Sequence, residues 1–353
     1  MVNMKKILVN ASKKYDVIVE KGAIEHIGEY AKELGISGKA LIVSDSNVAP
    51  IYMERVKKSL EKIGMRVFEF VFSAGESSKN AKTYLKILNF LAENHFSRKD
   101  TLFALGGGVT GDLTGFSAAT YMRGIKFVQI PTSLLAAVDS SVGGKTGIDL
   151  EQGKNLAGAF CQPEMVVFDP DVLSTLPEEY FADGMAEVIK YAVIRGREID
   201  RLLLEDYRNN LEEIIIRCIE IKRDVVEEDE FEGGIRKILN FGHTAGHAIE
   251  TEANYTLSHG RCVAMGMYIV IKAWENRGLC KQGTCDILKQ MLDLFALDTK
   301  CPYSPEVLLK RAKSDKKADG ESVSLVVPLG VGECDVVKIS MDEFLTVLKD
   351  GIK

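Results

Sequence analysis

The chain has 353 residues with a formal net charge of −6, and 46% of its residues are hydrophobic and 27% charged. This composition is typical of a folded globular protein and excludes a collagen-like or low-complexity chain. The acidic balance argues against an extended nucleic-acid surface, so we expect an anionic partner to be a small molecule.

The seven cysteines are odd in number and include no C-x-x-C pair, which is a poor framework for disulfides or a zinc finger. We therefore expect reduced thiols and a cytoplasmic protein. The N-terminus has no long apolar run after its lysines, and no window approaches 18 uncharged apolar residues. Neither secretion nor membrane insertion is expected from this pattern.

Short β-branched runs in the first half of the chain predict strands, and segments with helical spacing of apolar residues lie between them. The predicted strands are Tyr15–Glu20, Ala40–Ser44, Arg66–Phe72, Thr101–Leu105, Lys126–Ile130 and Met165–Phe168. Ile51–Ile63 and Ala81–Asn94 predict helices at the distances of βαβ units. We predict a Rossmann-like α/β domain with a parallel sheet over residues 1–172.

From about Leu173 onward the pattern changes to long helical segments. The exception is Ser322–Pro328, a strand-like run after the turn signal Asp319-Gly320. We predict a second, mainly α-helical domain over residues 173–353.

The predicted strand Thr101–Leu105 leads into Gly106-Gly-Gly-Val-Thr-Gly111, a G-x-G-x-x-G turn toward a helix. Glycines at such a turn let backbone N–H groups approach a phosphate. The motif follows a late strand and has Arg123 and Lys126 where an acidic residue is usual, so a tightly packed turn is the alternative. Asp45, at the end of an earlier strand, offers an acid for a ribose hydroxyl.

A second polar, glycine-rich stretch is Asp139-Ser-Ser-Val-Gly-Gly-Lys145-Thr-Gly147, followed by Gly153-Lys154-Asn155. Lysines beside flexible backbone suit a phosphorylated or polyhydroxylated ligand. The spacing fails the Walker pattern by one residue, and solvated surface lysines are the alternative interpretation.

Three of the five histidines, His243, His247 and His259, fall close together in the sequence. His243 and His247 are one helical turn apart, so both can reach one divalent ion. A catalytic site of the zinc type needs three N or O ligands, and Glu187 is the candidate carboxylate. The alternatives are hydrogen-bonded core histidines and an intrahelical ion pair between Glu187 and Lys190.

Arg236 and Asn240 are one helical turn apart just before the histidines, and Lys222 lies upstream. These groups suit a clamp for a phosphate or carboxylate beside the metal. An exposed helix face is the alternative.

Taken together, these segments resemble the 3-dehydroquinate synthase family within the sugar-phosphate cyclases. The resemblance covers nearly the whole chain. It is carried by Gly75-Glu-Ser-Ser-Lys79, Gly106-Gly-Gly-Val-Thr-Gly-Asp112, Val138-Asp-Ser-Ser-Val-Gly-Gly-Lys-Thr-Gly147, Gly153-Lys-Asn155, Gly184-Met-Ala-Glu-Val-Ile-Lys190, Leu239-Asn-Phe-Gly-His-Thr-Ala-Gly-His-Ala-Ile-Glu250 and Asp315-Lys-Lys317. It implies an N-terminal nucleotide-binding α/β domain followed by a helical metal-binding domain.

The resemblance implies one divalent metal, zinc or cobalt, held by Glu187, His243 and His259, with His247 near the substrate phosphate rather than on the metal. NAD contacts are implied at Asp45, Asn47, Glu76, Lys79, Gly107, Gly108, Val109, Asp112, Thr132 and Ser133. Ser133 departs conservatively from the family's usual threonine. Catalytic or substrate contacts are implied at Asp139, Lys145, Lys154, Asn155, Lys190, Lys222, Arg236, Asn240, His247 and one of Lys316 and Lys317, with Arg123 reaching a neighbouring subunit's site in a homodimer.

The implied reaction converts 3-deoxy-D-arabino-heptulosonate 7-phosphate to 3-dehydroquinate and phosphate. NAD removes a hydride from C5, phosphate is eliminated, the hydride returns, and ring opening and intramolecular aldol closure follow. The family acts in the shikimate pathway toward chorismate and the aromatic amino acids.

Three other functions remain open from the sequence. A sister cyclase that acts on another sugar phosphate shares the NAD and metal residues, a polyol dehydrogenase of related fold would perform net redox chemistry, and a silent sugar-phosphate sensor would keep only a structural metal. Arg195-Gly-Arg197 and Arg261-Cys262 depart from the family's usual acidic or small residues. The set of phosphate-directed residues favours the synthase.

Overall fold

The structure, a computed structural model, describes residues 4–315 and 322–353. The chain forms two compact units, Met1–Pro177 and Glu178–Lys353. The predicted substrate residues Lys316 and Lys317 lie outside the described residues.

The first unit contains a seven-stranded sheet within the described residues, in the order β1-β2-β9-β6-β5-β3-β4. Its strands and helices are β1 (Lys5–Asn10), β2 (Lys14–Val19), α1 (Ile27–Glu33), β3 (Lys39–Asp45), α2 (Ala49–Lys62), β4 (Arg66–Phe72), α3 (Ala81–Glu93), β5 (Thr101–Gly106), α4 (Gly108–Thr120), β6 (Lys126–Pro131), β7 (Lys145–Leu150), β8 (Gly153–Phe160) and β9 (Met165–Phe168). All pairs in the sheet are parallel except β1 with β2. The predicted α/β fold is confirmed.

Burial explains why the central parallel strands could be predicted. The residues of β5 and β9 are buried throughout, as expected for strands covered on both faces. Leu41, Leu102 and Phe127 from three neighbouring strands pack with Leu91 of α3 and Leu113 of α4 in one hydrophobic cluster. This cluster fixes the strand ends that carry the polar residues described below.

The glycine-rich residues Lys145–Leu150 and Gly153–Phe160 form a hairpin, which the sequence analysis did not predict. β7 and β8 form a separate antiparallel pair in which Gly147 lies opposite Gly158. A Cβ on Gly158 would lie 2.3 Å from the carbonyl oxygen of Thr146. The two glycines therefore let the strand backbones approach closely.

The second unit is mainly helical, as predicted. Its elements are α5 (Glu178–Ile194), α6 (Arg197–Glu228), α7 (His243–Glu252), α8 (His259–Asn276), α9 (Thr284–Asp293), α10 (Pro305–Asp315), β10 (Ser322–Gly330), β11 (Glu333–Ser340) and α11 (Met341–Ile352). The strand predicted at Ser322–Pro328 is β10, and it pairs with β11 in an antiparallel hairpin.

Helix α8 is the buried centre of the second unit, and glycines set how closely its neighbours approach. A Cβ on Gly266 would lie 2.0 Å from the carbonyl oxygen of Gly242 before α7. A Cβ on Gly260 would lie 2.4 Å from the Cα of Asp183 in α5. The helices that carry the predicted metal ligands therefore meet backbone to backbone.

Within the described residues, no helix combines the length and apolarity that a membrane span requires.

Candidate active site

The carboxyl ends of β3, β5 and β6 bring several predicted cofactor residues together at one edge of the sheet. The carboxylate of Asp45 accepts the backbone N–H groups of Asn47 at 2.8 Å and Val48 at 3.1 Å. The Asp45 Oδ2 atom lies 3.5 Å from Thr110 Oγ1 in the first turn of α4. Because β3 and β5 are neighbours and the chain order reverses between them, this edge is the usual ligand crevice of an open α/β sheet.

The glycine turn after β5 leaves open backbone at the start of α4. A Cβ on Gly107 would lie 3.3 Å from Ser133 Oγ, and one on Gly108 would lie 3.2 Å from Ser140 Oγ. Among the described residues no side chain caps α4, which begins at Gly108 and includes Val109. Thr132 closes the turn by donating its N–H to the Gly106 carbonyl oxygen at 3.0 Å. This cradle fits the phosphates of a dinucleotide.

Lys79 lies at the centre of a polar cluster in the first unit. Its Nζ donates to Asp112 Oδ2 at 2.6 Å and to Asn155 Oδ1 at 2.5 Å, and lies 3.9 Å from Glu76 Oε1. Lys154 Nζ lies 3.7 Å from the same Glu76 oxygen. Burial raises the pKa of Asp112, and the charge of Lys79 opposes that shift. The structure thus joins residues predicted for NAD with residues predicted for the substrate.

The other predicted residues of the first unit lie on separate elements. Asp139 is half-buried in a π-helical turn, Ala136–Ser140, and Lys145 is exposed at the first position of β7. Arg123 is exposed in the turn after α4, where Met122 and Arg123 both have left-handed backbone, with φ of 51° and 65°. Two consecutive non-glycine residues in this region mark a strained turn.

The second unit brings Glu187, His243 and His259 into one cluster. The Nε2 atoms of His243 and His259 lie 3.6 Å and 3.4 Å from Glu187 Oε1. Ligands about 2.0–2.1 Å from a tetrahedral ion are separated by about 3.4 Å, so these distances fit one divalent ion. Glu187 is 1% exposed and forms an ion pair with Lys190, which is also 1% exposed. Both the ligand and the ion-pair interpretations of Glu187 are thus compatible with its position.

Hydrogen bonding fixes the orientation of the His243 ring. Its Nδ1 lies 3.0 Å from the carbonyl oxygen of Phe241, so the proton belongs on Nδ1 and the Nε2 lone pair faces Glu187. Metal-binding histidines use this arrangement because it sets both the tautomer and the ring direction.

The pKa values of the two histidines shift in opposite directions. Burial lowers the pKa of His243 to about 3. Burial also disfavours charge on His259, but the neighbouring carboxylates of Glu187 and Glu250 outweigh it and raise the pKa of His259 to about 10. Without an ion, His259 carries the positive charge between two carboxylates, and a divalent cation would replace its proton.

His247 is the exposed member of the histidine cluster. Its ring centroid lies 5.3 Å from that of His243 and 6.0 Å from that of His259. His247, Glu250 and His259 form a second group of donor atoms within 4.8 Å of one another. The geometry thus offers two ligand groups that share His259.

Arg236 and Asn240 lie in a 3-10 helix, Ile235–Asn240, just before α7. Arg236 is 1% exposed, its backbone N–H donates to Asp229 Oδ2 at 3.0 Å, and its guanidinium donates to the Glu230 carbonyl oxygen. Asn240 Nδ2 donates to Glu232 Oε1 at 2.9 Å. Lys222 is buried in α6. The exposed-face interpretation is therefore wrong for Arg236 and Lys222, whose burial is characteristic of a built site.

The sequence matches two family models, 3-dehydroquinate synthase N-terminal over residues 69–183 and 3-dehydroquinate synthase C-terminal over residues 184–318. It is 43% identical over 342 residues to the 3-dehydroquinate synthase of Clostridium acetobutylicum, covering 95% of this chain and 96% of that one. The chain belongs to the 3-dehydroquinate synthase family. The Lactococcus lactis subsp. cremoris 3-dehydroquinate synthase is 44% identical over 345 residues, covering 95% of this family member and 97% of the relative.

Solved structures of other cyclases have the same fold as this family member. A 2-deoxy-scyllo-inosose synthase complexed with carbaglucose-6-phosphate, NAD+ and Co2+ aligns with a TM-score of 0.88 at 24% identity, over 99% of this chain and 100% of that one. A 2-epi-5-epi-valiolone synthase from Streptomyces hygroscopicus subsp. jinggangensis with NAD+ and Zn2+ bound aligns with a TM-score of 0.85 at 26% identity, over 95% and 96%. An iron-containing alcohol dehydrogenase has a TM-score of 0.66 at 17% identity, over 99% of both chains, which is a likeness of fold alone.

Four carboxylates beside the candidate site received no role from the sequence. Asp183 accepts a hydrogen bond from Ser258, Glu250 lies beside His259, and Asp229 and Glu232 hold the segment that carries Arg236 and Asn240. Asp183 lies one helical turn before Glu187, which is a detectable signal. The other three are recognisable only from contacts between elements.

Proposed function

We propose that the chain is an NAD- and divalent-metal-dependent 3-dehydroquinate synthase, a carbon–oxygen lyase that converts 3-deoxy-D-arabino-heptulosonate 7-phosphate to 3-dehydroquinate and phosphate. The observation that carries the proposal is the convergence of two imidazole Nε2 atoms on the buried Glu187 carboxylate at tetrahedral ligand spacing. This cluster lies in a chain that is 43% identical to a curated synthase over nearly its full length.

Glu187, His243 and His259 would hold the metal, which is zinc or cobalt. When bound, the ion polarises substrate hydroxyls and makes an alkoxide accessible near neutral pH. These three ligands, two nitrogens and one oxygen, would leave the fourth coordination position open for substrate, as in catalytic zinc sites. Lys190 supports Glu187 through their buried ion pair, and its ammonium group lies beside the ligands, where it suits a substrate hydroxyl or carboxylate.

The crevice at the ends of β3, β5 and β6 would hold NAD, which accepts a hydride from C5 of the substrate and later returns it. Backbone N–H groups from Gly107 to Val109 would face the pyrophosphate at the start of α4, and Asp45 would accept from a ribose hydroxyl. Asn47, Thr132 and Ser133 complete the edge of the crevice.

Buried cations would bind the substrate phosphate. Arg236 is held by Asp229 and the Glu230 carbonyl oxygen, so its guanidinium is positioned before the ligand arrives. Lys222, Asn240 and His247 would supply further donors. The positive charges of Arg236 and Lys222 would stabilise the departing phosphate, which can itself accept the proton removed next to the new ketone.

Polar residues of the first unit would bind the sugar and carboxylate portions of the substrate. Lys154 and Asn155 join the cluster around Lys79, and Lys145 and Asp139 lie on the neighbouring polar stretch. Their role in the later steps is to hold the ring-opened compound for aldol closure, since positioning alone contributes several kcal/mol to such a step, roughly 7–11 at best.

We propose further that the enzyme is a cytoplasmic homodimer of the shikimate pathway. Support for the dimer is the family resemblance, which implies that Arg123 reaches a neighbouring subunit's site, together with the exposure of Arg123. Support for the location is the presence of thiols such as Cys161 and Cys334 without a disulfide partner.

Product analysis tests the proposal. The enzyme is incubated with NAD, Zn2+ or Co2+ and 3-deoxy-D-arabino-heptulosonate 7-phosphate, and phosphate and 3-dehydroquinate are quantified. Equal amounts of the two products are expected, with none from His259→Ala, which should retain its fold but lose the ion on dialysis. Turnover of a different sugar phosphate only, or unchanged metal content in His259→Ala, would contradict the assignment.

A further inference from the structure

The two histidine ligands proposed above are held in different ways. His243 follows Gly242 at the start of α7, its side chain is 13% exposed, and the Phe241 carbonyl oxygen fixes its ring. His259 comes from another helix, and its side chain is 31% exposed. A half-buried ring on a separate element needs its own support to stay at ligand distance, because small misplacements weaken metal binding.

The Glu250 carboxylate lies beside Nδ1 of His259, as the Phe241 carbonyl oxygen lies beside Nδ1 of His243. Nε2 of His259 faces Glu187 at 3.4 Å, while Nδ1 lies 3.7 Å from Oε2 of Glu250. Glu250 is 4% exposed and projects from α7, the helix that also carries His243. Each imidazole thus presents Nε2 to Glu187 and Nδ1 to an acceptor on or next to α7.

The backbone of His259 is fixed from the opposite side by α5. Ser258 Oγ donates to Asp183 Oδ1 at 2.5 Å, and Gly260 packs against the Asp183 backbone, where a Cβ would lie 2.4 Å from the Asp183 Cα. Asp183 lies one turn before Glu187 on α5. The same helix therefore supplies one ligand and anchors the start of the helix that supplies another.

We propose that Glu250 and Asp183 are positioning residues for the metal site: Glu250 accepts the Nδ1 proton of His259, and Asp183 holds the first turn of α8 so that Nε2 stays at ligand distance from Glu187. The proposal rests on the proposed function, in that it takes Glu187, His243 and His259 as the ligands. The Nδ1–Oε2 separation is 3.7 Å, and a metal on Nε2 would favour a hydrogen bond between them by making the Nδ1 proton a stronger donor.

The competing role for Glu250 is that of a ligand. Glu250, His247 and His259 form the second donor group, which would bind an ion through a different set of atoms. The orientation of His259 favours the positioning role, because its Nε2 already faces the buried Glu187 and only Nδ1 faces Glu250. If Glu250 were a ligand, His247 would be a ligand too, and its removal would weaken ion binding strongly. If Glu250 only positions His259, removal of His243 would have that effect instead.

Zinc affinity, measured by competition with a chromophoric chelator on the full chain, tests the proposal without relying on turnover. Glu250→Ala and Asp183→Ala are each expected to bind Zn2+ about 10–100-fold more weakly than the wild type. Glu250→Gln should lose less than Glu250→Ala, since the amide oxygen still accepts a hydrogen bond. The visible spectrum of bound Co2+ should also change in Glu250→Ala, which a purely structural role would not cause.

The matched control is Glu252→Gln, two residues further along α7, where the carboxylate bonds to Arg311 at 2.6 Å. Its zinc affinity should equal that of the wild type. Wild-type zinc affinity and an unchanged Co2+ spectrum in Glu250→Ala would overturn the proposal. A loss of zinc affinity in His247→Ala as large as that in His243→Ala would also overturn it. Absence of zinc binding by the wild type would instead refute the proposed metal dependence itself.

Discussion

A single methyl group at Gly260 should separate two of the proposed metal ligands. In Gly260→Ala the new Cβ would lie 2.4 Å from Asp183 Cα and 2.7 Å from its carbonyl oxygen. Carbon atoms in contact normally lie about 3.5–4.0 Å apart, so the start of α8 must move away from α5 by about 1 Å. Such overpacking costs about 1–3 kcal/mol of the free energy of unfolding. Because His259 precedes Gly260, the movement also draws Nε2 away from Glu187.

The assay measures the loss of stability and the loss of zinc affinity in Gly260→Ala. Urea unfolding with chelator present measures stability, and chelator competition measures zinc affinity, which should fall at least about 10-fold. The control is Gly351→Ala, whose Cβ would lie 2.2 Å from the Ile269 carbonyl oxygen, about 15 Å along α8 from His259. It should lose stability but keep its zinc affinity. Unchanged affinity in Gly260→Ala, or an equal loss in Gly351→Ala, would refute the reasoning.

Three further predictions concern the polar clusters. Arg236→Met should raise the KM for the phosphate substrate about 10-fold or more while leaving the KM for NAD unchanged, and equal rises would remove its phosphate role. Lys79→Met should lower the free energy of unfolding by about 1–3 kcal/mol, because Asp112 loses its partner. The free energy of unfolding should recover in the double variant that also carries Asp112→Leu. Urea unfolding measures both variants. For Asp229, partial burial raises the pKa, but backbone N–H donors outweigh it and lower the pKa overall. Asp229→Asn should therefore have a lower urea midpoint at neutral pH and converge with the wild type below about pH 4; a constant difference would contradict this.

Hydrophobic pattern predicted the central strands of the parallel sheet because they are buried on both faces. β3, β5, β6 and β9 are largely apolar and buried, and each lies within a residue or two of its predicted bounds. The strands that the sequence analysis did not predict have both exposed and buried residues. β1 alternates exposed and buried residues at the edge of the sheet, and β8 is rich in exposed positions and, among the described strands, pairs with β7 alone. Pairing of that kind depends on a partner strand rather than on local burial.

Local spacing located the histidine cluster but could not choose among its ligands. The spacing of His243 and His247 on one helical turn pointed to the region, whereas His259 lies on a different helix and Glu187 on a third. The structure brings all four side chains within reach of each other, so the choice of Glu187, His243 and His259 is still a prediction that came from the family resemblance. Contacts between helices, which no sequence spacing encodes, decide the orientation of each ring.

The most direct test of the proposed function is whether NAD is recycled. The enzyme, loaded with Zn2+ or Co2+, is given 3-deoxy-D-arabino-heptulosonate 7-phosphate in large excess over NAD, and phosphate release and NADH absorbance are recorded together. We predict that all the substrate is converted, with phosphate equal to substrate and no net NADH. Conversion that stops when the NAD is consumed, with NADH equal to product, would identify a dehydrogenase and contradict the account.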